Sequence, residues 1–156
     1  MKIAQVCPYD FSRPGGVKNH ITSLSKELRL LGHEVKIITP HSSSGSNDPE
    51  VSSFGKNRSI NISGTKIDVN IALGNERKSL KRFLKEEDFD IIHYHTFWNP
   101  VLPFQVWFNS KAKNVATFHD TPKSKWVGKT IMPVAASLVI SMMDKVISVS
   151  KTQANF

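Results

Sequence analysis

The sequence predicts a doubly wound α/β domain: a Rossmann-like, mostly parallel sheet with helices on both faces. Three observations predict it. Short apolar runs rich in β-branched residues alternate with stretches of helical periodicity along the chain. Several runs are apolar almost throughout, as strands covered on both faces are. No repeat, composition shift or linker divides the 156 residues, a length that suits one core.

The elements follow in order. "KIAQVC" (2–7) reads as a buried strand. Val17, Ile21, Leu24, Leu28 and Leu31 recur at steps of four and three, which places them on one helix face, and Gly32 stops that helix. "HEVKIITP" (33–40) is the next strand, and "HSSSGSND" (41–48) a polar loop. "RSINIS" and "TKIDVNIA", around Gly64, predict a hairpin on the sheet edge. Residues 76–87 read as a helix, "DFDIIHYH" (88–95) as a strand, and "NPVLPFQVWFNS" (99–110) as a helix with Pro100 near its start. "NVATFH" (114–119) is a strand, 127–143 a helix and "DKVISVS" (144–150) a strand. "SKTQANF" begins like a further helix capped by Ser150 but is too short to be stable alone, so a larger, two-domain design is expected.

Composition narrows the function. The net charge of +8 favours anionic partners. Nucleic acid is not expected among them, since there is no RNP-type motif, zinc-finger spacing or arginine-rich arm. The single cysteine, Cys7, excludes an internal disulfide and reads as a buried small residue. No segment is long and apolar enough to span a membrane, and no signal-peptide pattern opens the chain, so a cytoplasmic location is expected.

Ligands of open α/β sheets bind beyond the carboxyl ends of the strands. The stretch "SRPGGVKNH" (12–20) lies there, after the first strand and at the start of a helix. Uncapped N–H groups at a helix start carry partial positive charge, and Gly15 and Gly16 would let a phosphate approach them. The competing reading is a turn that needs glycine for its own backbone. Two other strand ends carry chemistry: "HYHTFWNP" (93–100) and "TFHDTPKSK" (117–125). His93 and His95 share a strand face, but no carboxylate partner has ligand spacing, so no metal is assigned.

These residues resemble a known family. "MKIAQVCPYDFSRPGGVKNHITSLSKELRLLGHEVKIITP", "DFDIIHYHTFWNP" and "VATFHDT" are similar to the N-terminal domain of family 4 retaining glycosyltransferases, and most of all to phosphatidylinositol mannosyltransferases. The resemblance implies a GT-B enzyme in which residues 1–156 are the acceptor-side half, with the nucleotide-sugar domain and its E-x7-E signature absent. It implies transfer of a hexose, mannose in the nearest enzymes, from a GDP- or UDP-sugar to an acceptor such as phosphatidylinositol, with no tightly bound cofactor. By the same resemblance Gly15 and Gly16 approach the donor phosphates and His119 contacts the transferred sugar as the catalytic residue. Tyr9, Asp10, Asn99 and Lys123 fall at acceptor positions, although "HDTPKS" is one residue shorter between His119 and Lys123 than the family pattern. His20 matches a family position in the first helix.

"ERKSLKRFLKEE" (76–87) places Lys78, Lys81, Arg82 and Lys85 on one helix face and Leu80, Phe83 and Leu84 on the other. An ordinary surface helix has this pattern. So does a helix that docks on an anionic membrane, which would put the protein at the inner face of the cell membrane. Trp98 and Trp126 sit beside the site loops. Two other classes are consistent with the residues: a non-catalytic acceptor- or phosphate-binding module, and half of a sugar-nucleotide epimerase.

Overall fold

The computed structural model describes residues 1–42, 48–62, 65–97, 101–119 and 137–149, with backbone alone for 57–62 and 65–68. Its centre is a six-stranded sheet in which every pairing is parallel. The strands are β1 (Lys2–Val6), β2 (Glu34–Thr39), β3 (Val51–Ser53), β6 (Ile91–His95), β7 (Lys113–Phe118) and β8 (Lys145–Ser148), in the order β3-β2-β1-β6-β7-β8. The chain therefore builds outward from β1 in one direction, returns to the middle and builds outward in the other. The reversal falls between β1 and β6, where Gln5 stands opposite His93 and Val6 opposite Tyr94. Residues 137–141, the described part of the helix expected over 127–143, are helical.

The helices are α1 (Gly16–Leu30), α2 (Asn75–Glu87) and α3 (Leu102–Phe108). Ala4, Val6, Ile38, Ile92, Tyr94 and Ala116 point to one face of the sheet and pack with Leu80 and Leu84 of α2 and Leu102 and Val106 of α3. Burying each such side chain contributes about 1.5–3 kcal/mol. The other face carries Cys7 and Ile37 against Ile21 of α1, with Val17 beside them. On this second face the strand centres are polar: Gln5, His93, His95 and Thr117 are all buried.

Two expectations are corrected. The apolar stripe of α1 does not reach Leu31, which lies past the helix end and is 73% exposed, while Ser25 is buried. The helix does stop where glycine allows it, with Gly32 at φ +84. The hairpin exists as β4 (Lys56–Ile62) and β5 (Thr65–Ile71), but it forms its own antiparallel pair and does not extend the main sheet. That edge belongs to β3, a three-residue strand with no periodicity long enough to read. Beyond these, β6 starts three residues later than expected, because Asp88 ends α2 in the left-handed region.

Glu87, at the end of α2, accepts from Lys36 of β2 and pairs with Lys2 of β1 at 3.2 Å. Partial burial opposes its charge, but hydrogen bonds and attraction from the two lysines outweigh that and hold its carboxyl below the ordinary value. A depressed carboxyl contributes stability above the ordinary carboxylate range and loses it as pH falls through the folded-state value. Glu87→Gln should therefore lower stability by about 1–2 kcal/mol at neutral pH. Urea titrations across pH should show wild type and variant converging in acid; a pH-independent gap would refute the charge argument.

Candidate functional site

The site grows from the loop after β1. Thr39 Oγ1 donates to the Tyr9 carbonyl at 2.8 Å, and Asn70 Nδ2 donates to the Pro8 carbonyl at 2.6 Å. The loop is thus held by the end of β2 and by the hairpin. Asp10 then shapes its far side, accepting from the Ser12 backbone at 2.9 Å and the Ser12 hydroxyl at 2.7 Å. Burial opposes the Asp10 charge, but these bonds, Ser42 and the Arg13 guanidinium keep its carboxyl below the ordinary value. Cys7 beneath the loop is pushed up to about 12 by burial, so it offers no thiolate near neutral pH.

A hollow of about 300 Å³ opens over this loop, lined among others by Tyr9, Asp10, Arg13, Gly15, Gly16, Lys18 and Asn70. The predicted residues Tyr9, Asp10, Gly15 and Gly16 are therefore together. Among the described residues no side chain caps α1, and no acidic residue stands in its first turn, which lines the hollow with Gly16, Val17 and Lys18. Gly15 is extended at φ 174, a backbone any residue adopts, and Gly16 is helical. A Cβ built at either would meet nothing within 4 Å. Neither conformation nor packing within the described residues requires glycine here. Gly55 is the contrast, with φ +83 and a built Cβ 2.9 Å from the Ile71 backbone.

Asn70 is a lining residue that sequence reading missed. It is 2% exposed, and its Oδ1 has no hydrogen-bond partner among the described residues. Nothing local marks it, since β5 reaches the hollow only through tertiary packing.

A second group lies on the polar sheet face. His93 and His95 are on β6, His119 follows β7, and His20 stands four residues beyond Gly16 on α1. Gln5 Oε1 can only accept, so His95 donates from Nε2 across 2.6 Å. Burial, with smaller contributions from neighbouring imidazoles, pushes His93 down to about 4 and His95 down to about 2. His95 is thus neutral, its Nδ1 bears a lone pair, and His119 Nε2–H donates to it at 3.1 Å. His93 Nε2 shares a 2.7 Å hydrogen bond with Thr117 Oγ1. The His20 ring centre is 4.9 Å from that of His119. His119 is half-buried, so its ring is held from below and accessible from the rim. Helix α1 joins this group to the glycine turn, because it carries Gly16 at its start and His20 one turn on.

Asn99, Lys123, Trp98 and Trp126 lie outside the described residues. Lys78, Lys81, Arg82 and Lys85 are exposed along α2, with Leu80 and Leu84 buried beneath them, as the spacing predicted. None of the four forms an ion pair with the described residues. No helix among the described residues is long and apolar enough to cross a membrane.

The glycine geometry is testable by stability alone. Gly15→Ala and Gly16→Ala should leave unfolding free energy unchanged or raise it, by up to about 1 kcal/mol at helical Gly16. Gly55→Ala should lower it by about 1–3 kcal/mol. A loss at positions 15 and 16 comparable to that at 55 would show that the fold itself needs those glycines.

Comparison with known proteins places this arrangement. The family model described as Glycosyltransferase Family 4 matches residues 14–156. The phosphatidyl-myo-inositol mannosyltransferase of Propionibacterium freudenreichii subsp. shermanii is 30% identical over 99% of this chain and 42% of its own length. The protein of the same name from Mycolicibacterium smegmatis is 37% identical over 80% of this chain and 32% of its own length. The chain thus spans about a third to two fifths of these relatives. Among solved structures, Acinetobacter baumannii MurG shares the fold, with a TM-score of 0.58 at 10% identity over 94% of this chain and 40% of MurG. The α/β class predicted from the strand–helix alternation is the observed one, and with the family model covering all but the first thirteen residues, the chain belongs to glycosyltransferase family 4.

Proposed function

We propose that this chain is the N-terminal, acceptor-side domain of a retaining glycosyltransferase. The enzyme would move a hexose, mannose by the relatives' names, from a GDP- or UDP-sugar to an inositol phospholipid. The observation that carries the reading is the glycine pair. Gly15 and Gly16 leave bare backbone at a helix start in a family 4 chain, and nothing among the described residues around them requires glycine. Close approach of a ligand does.

The roles follow from the chemistry. Transfer places negative charge on the departing diphosphate. Preformed N–H donors at α1 stabilise that charge without reorganising, and Lys18 adds to the positive field. His119 orients a hydroxyl of the transferred sugar, its ring steadied by the Nε2–H bond to His95. Tyr9 contacts the acceptor directly. Asp10 acts from a rigid loop, with its carboxylate already organised by Ser12. Asn99 and Lys123 complete the acceptor side, Lys123 opposing its phosphate. The donor's nucleotide and sugar are gripped by a second domain outside this chain, which leaves the two substrates held in line between halves.

Membrane docking supplies the lipid. The exposed basic face of α2 meets the anionic surface, and Phe108 and Phe104 of the adjacent α3, 76% and 39% exposed, add apolar contact. Under this reading the enzyme works peripherally at the inner face of the cell membrane.

Activity tests belong to the full-length enzyme, with GDP- and UDP-hexoses and phosphatidylinositol in vesicles. Wild type should transfer hexose to the lipid. Gly16→Val and His119→Ala should each lower the rate by roughly a hundredfold or more. No transfer by wild type to any inositol lipid would defeat the proposal. In cosedimentation, replacing Lys78, Lys81, Arg82 and Lys85 with Gln should weaken binding to anionic vesicles by roughly two to three orders of magnitude, at about 1 kcal/mol per residue. Unchanged binding would remove α2 from the membrane model.

A further inference from the structure

Three of the four imidazoles converge. One ring nitrogen each from His20, His95 and His119 lies within 4.8 Å of the others. Among the described residues no carboxylate or thiol belongs to the group. The rings come from three separate elements: α1, the end of β6 and the residue after β7. We propose that His20, His95 and His119 form a binding site for a borderline divalent cation of the zinc class, with a fourth position open to water or ligand.

The geometry supports this in three ways. A tetrahedral ion bound by nitrogens at about 2.0–2.1 Å holds neighbouring imidazole centres roughly 5.3 Å apart. The three pairs here are separated by 5.5 Å (His20–His95), 4.9 Å (His20–His119) and 5.4 Å (His95–His119). The second support is the shell behind the ligand. Gln5 Oε1 accepts from His95 Nε2 at 2.6 Å, which turns Nδ1 toward His119, and zinc-binding histidines are oriented by an acceptor on the far ring nitrogen. The third is the gradient of exposure: His95 is buried, His119 half-buried and His20 exposed. The inner ligand is fixed, and the outer one can swing over an arriving ion.

The donor set selects the metal. Imidazole alone suits zinc, copper or nickel and is poor for magnesium or calcium, which take oxygen ligands. Entry of the ion replaces the hydrogen bond between His119 Nε2 and His95 Nδ1. The His119 proton moves to that ring's other nitrogen, so all three rings ligate as neutral imidazoles with no net proton released. Three protein nitrogens leave one coordination site vacant. Occupancy does not depend on the sugar-transfer reading, although under that reading ion and sugar compete for His119.

The test uses the untagged full-length protein, stripped with a chelator and titrated with Co²⁺ and Zn²⁺. One equivalent of Co²⁺ should bind with the visible absorption of a four-coordinate ion, and Zn²⁺ should displace it. His20→Asn, an exposed change, should weaken affinity by at least about tenfold, and Gln5→Leu by roughly 10–100-fold through the second shell. His41→Asn, a control histidine paired with Glu76 away from the cluster, should have no effect. Circular dichroism confirms that each variant is folded. If the folded wild type takes up no stoichiometric ion, or His20→Asn binds as tightly as wild type, the proposal is overturned.

Discussion

The parallel pairing of β1 with β2 on one side and β6 on the other is the constraint on which the site depends. Because β1 is central, its carboxyl end is where the chain's two directions of growth separate. In open α/β sheets ligands bind at such a reversal of strand order, beyond the carboxyl ends of the strands. The glycine turn follows β1 and His95 ends β6 at the same edge of the sheet because of strand order. A different order would leave the same residues on opposite edges of the sheet.

The two faces of the sheet have different tasks. Tyr94 points into the apolar layer under α2 and α3, while His93 and His95, its neighbours in sequence, point to the α1 side. Strand alternation does this without further instruction. The polar face carries a cost, since buried polar groups must find partners. Gln5 pairs with His95 and Thr117 with His93, while the Gln5 Nε2 and Ser25 Oγ atoms have none among the described residues. A purely structural face would be cheaper built from valine and leucine. Burial also keeps His93 and His95 uncharged near neutral pH, so their lone pairs are available for hydrogen bonding or ligation.

Local rules carried different amounts of information at different glycines. Gly32 ends α1 in the left-handed region, and Gly55 sits against the Ile71 backbone. Both are explained by the fold. Gly15 and Gly16 are not, and that distinction needs coordinates, because a Pro-Gly-Gly string reads equally well as a turn or as a cradle. The pattern Gly-x-Gly-x-x-Gly is absent, so no spacing rule could have settled it.

The sequence alone determined the α/β class, most strand and helix positions, and the basic face of α2. Each follows from short-range periodicity, which a chain displays whether or not it is folded. The motifs "PYDFSRPGGVKNH" and "VATFHDT" also marked the family. Only the tertiary structure decided that the hairpin stands apart from the sheet, that β3 takes its edge and that Leu31 lies in solvent. It alone brought Asn70 to the hollow, 62 residues from Pro8, and the His20 ring to within 4.9 Å of the His119 ring centre. Those meetings depend on which strands become neighbours. Strand neighbourhood is chosen by the packing of the whole chain, so no window of residues contains it.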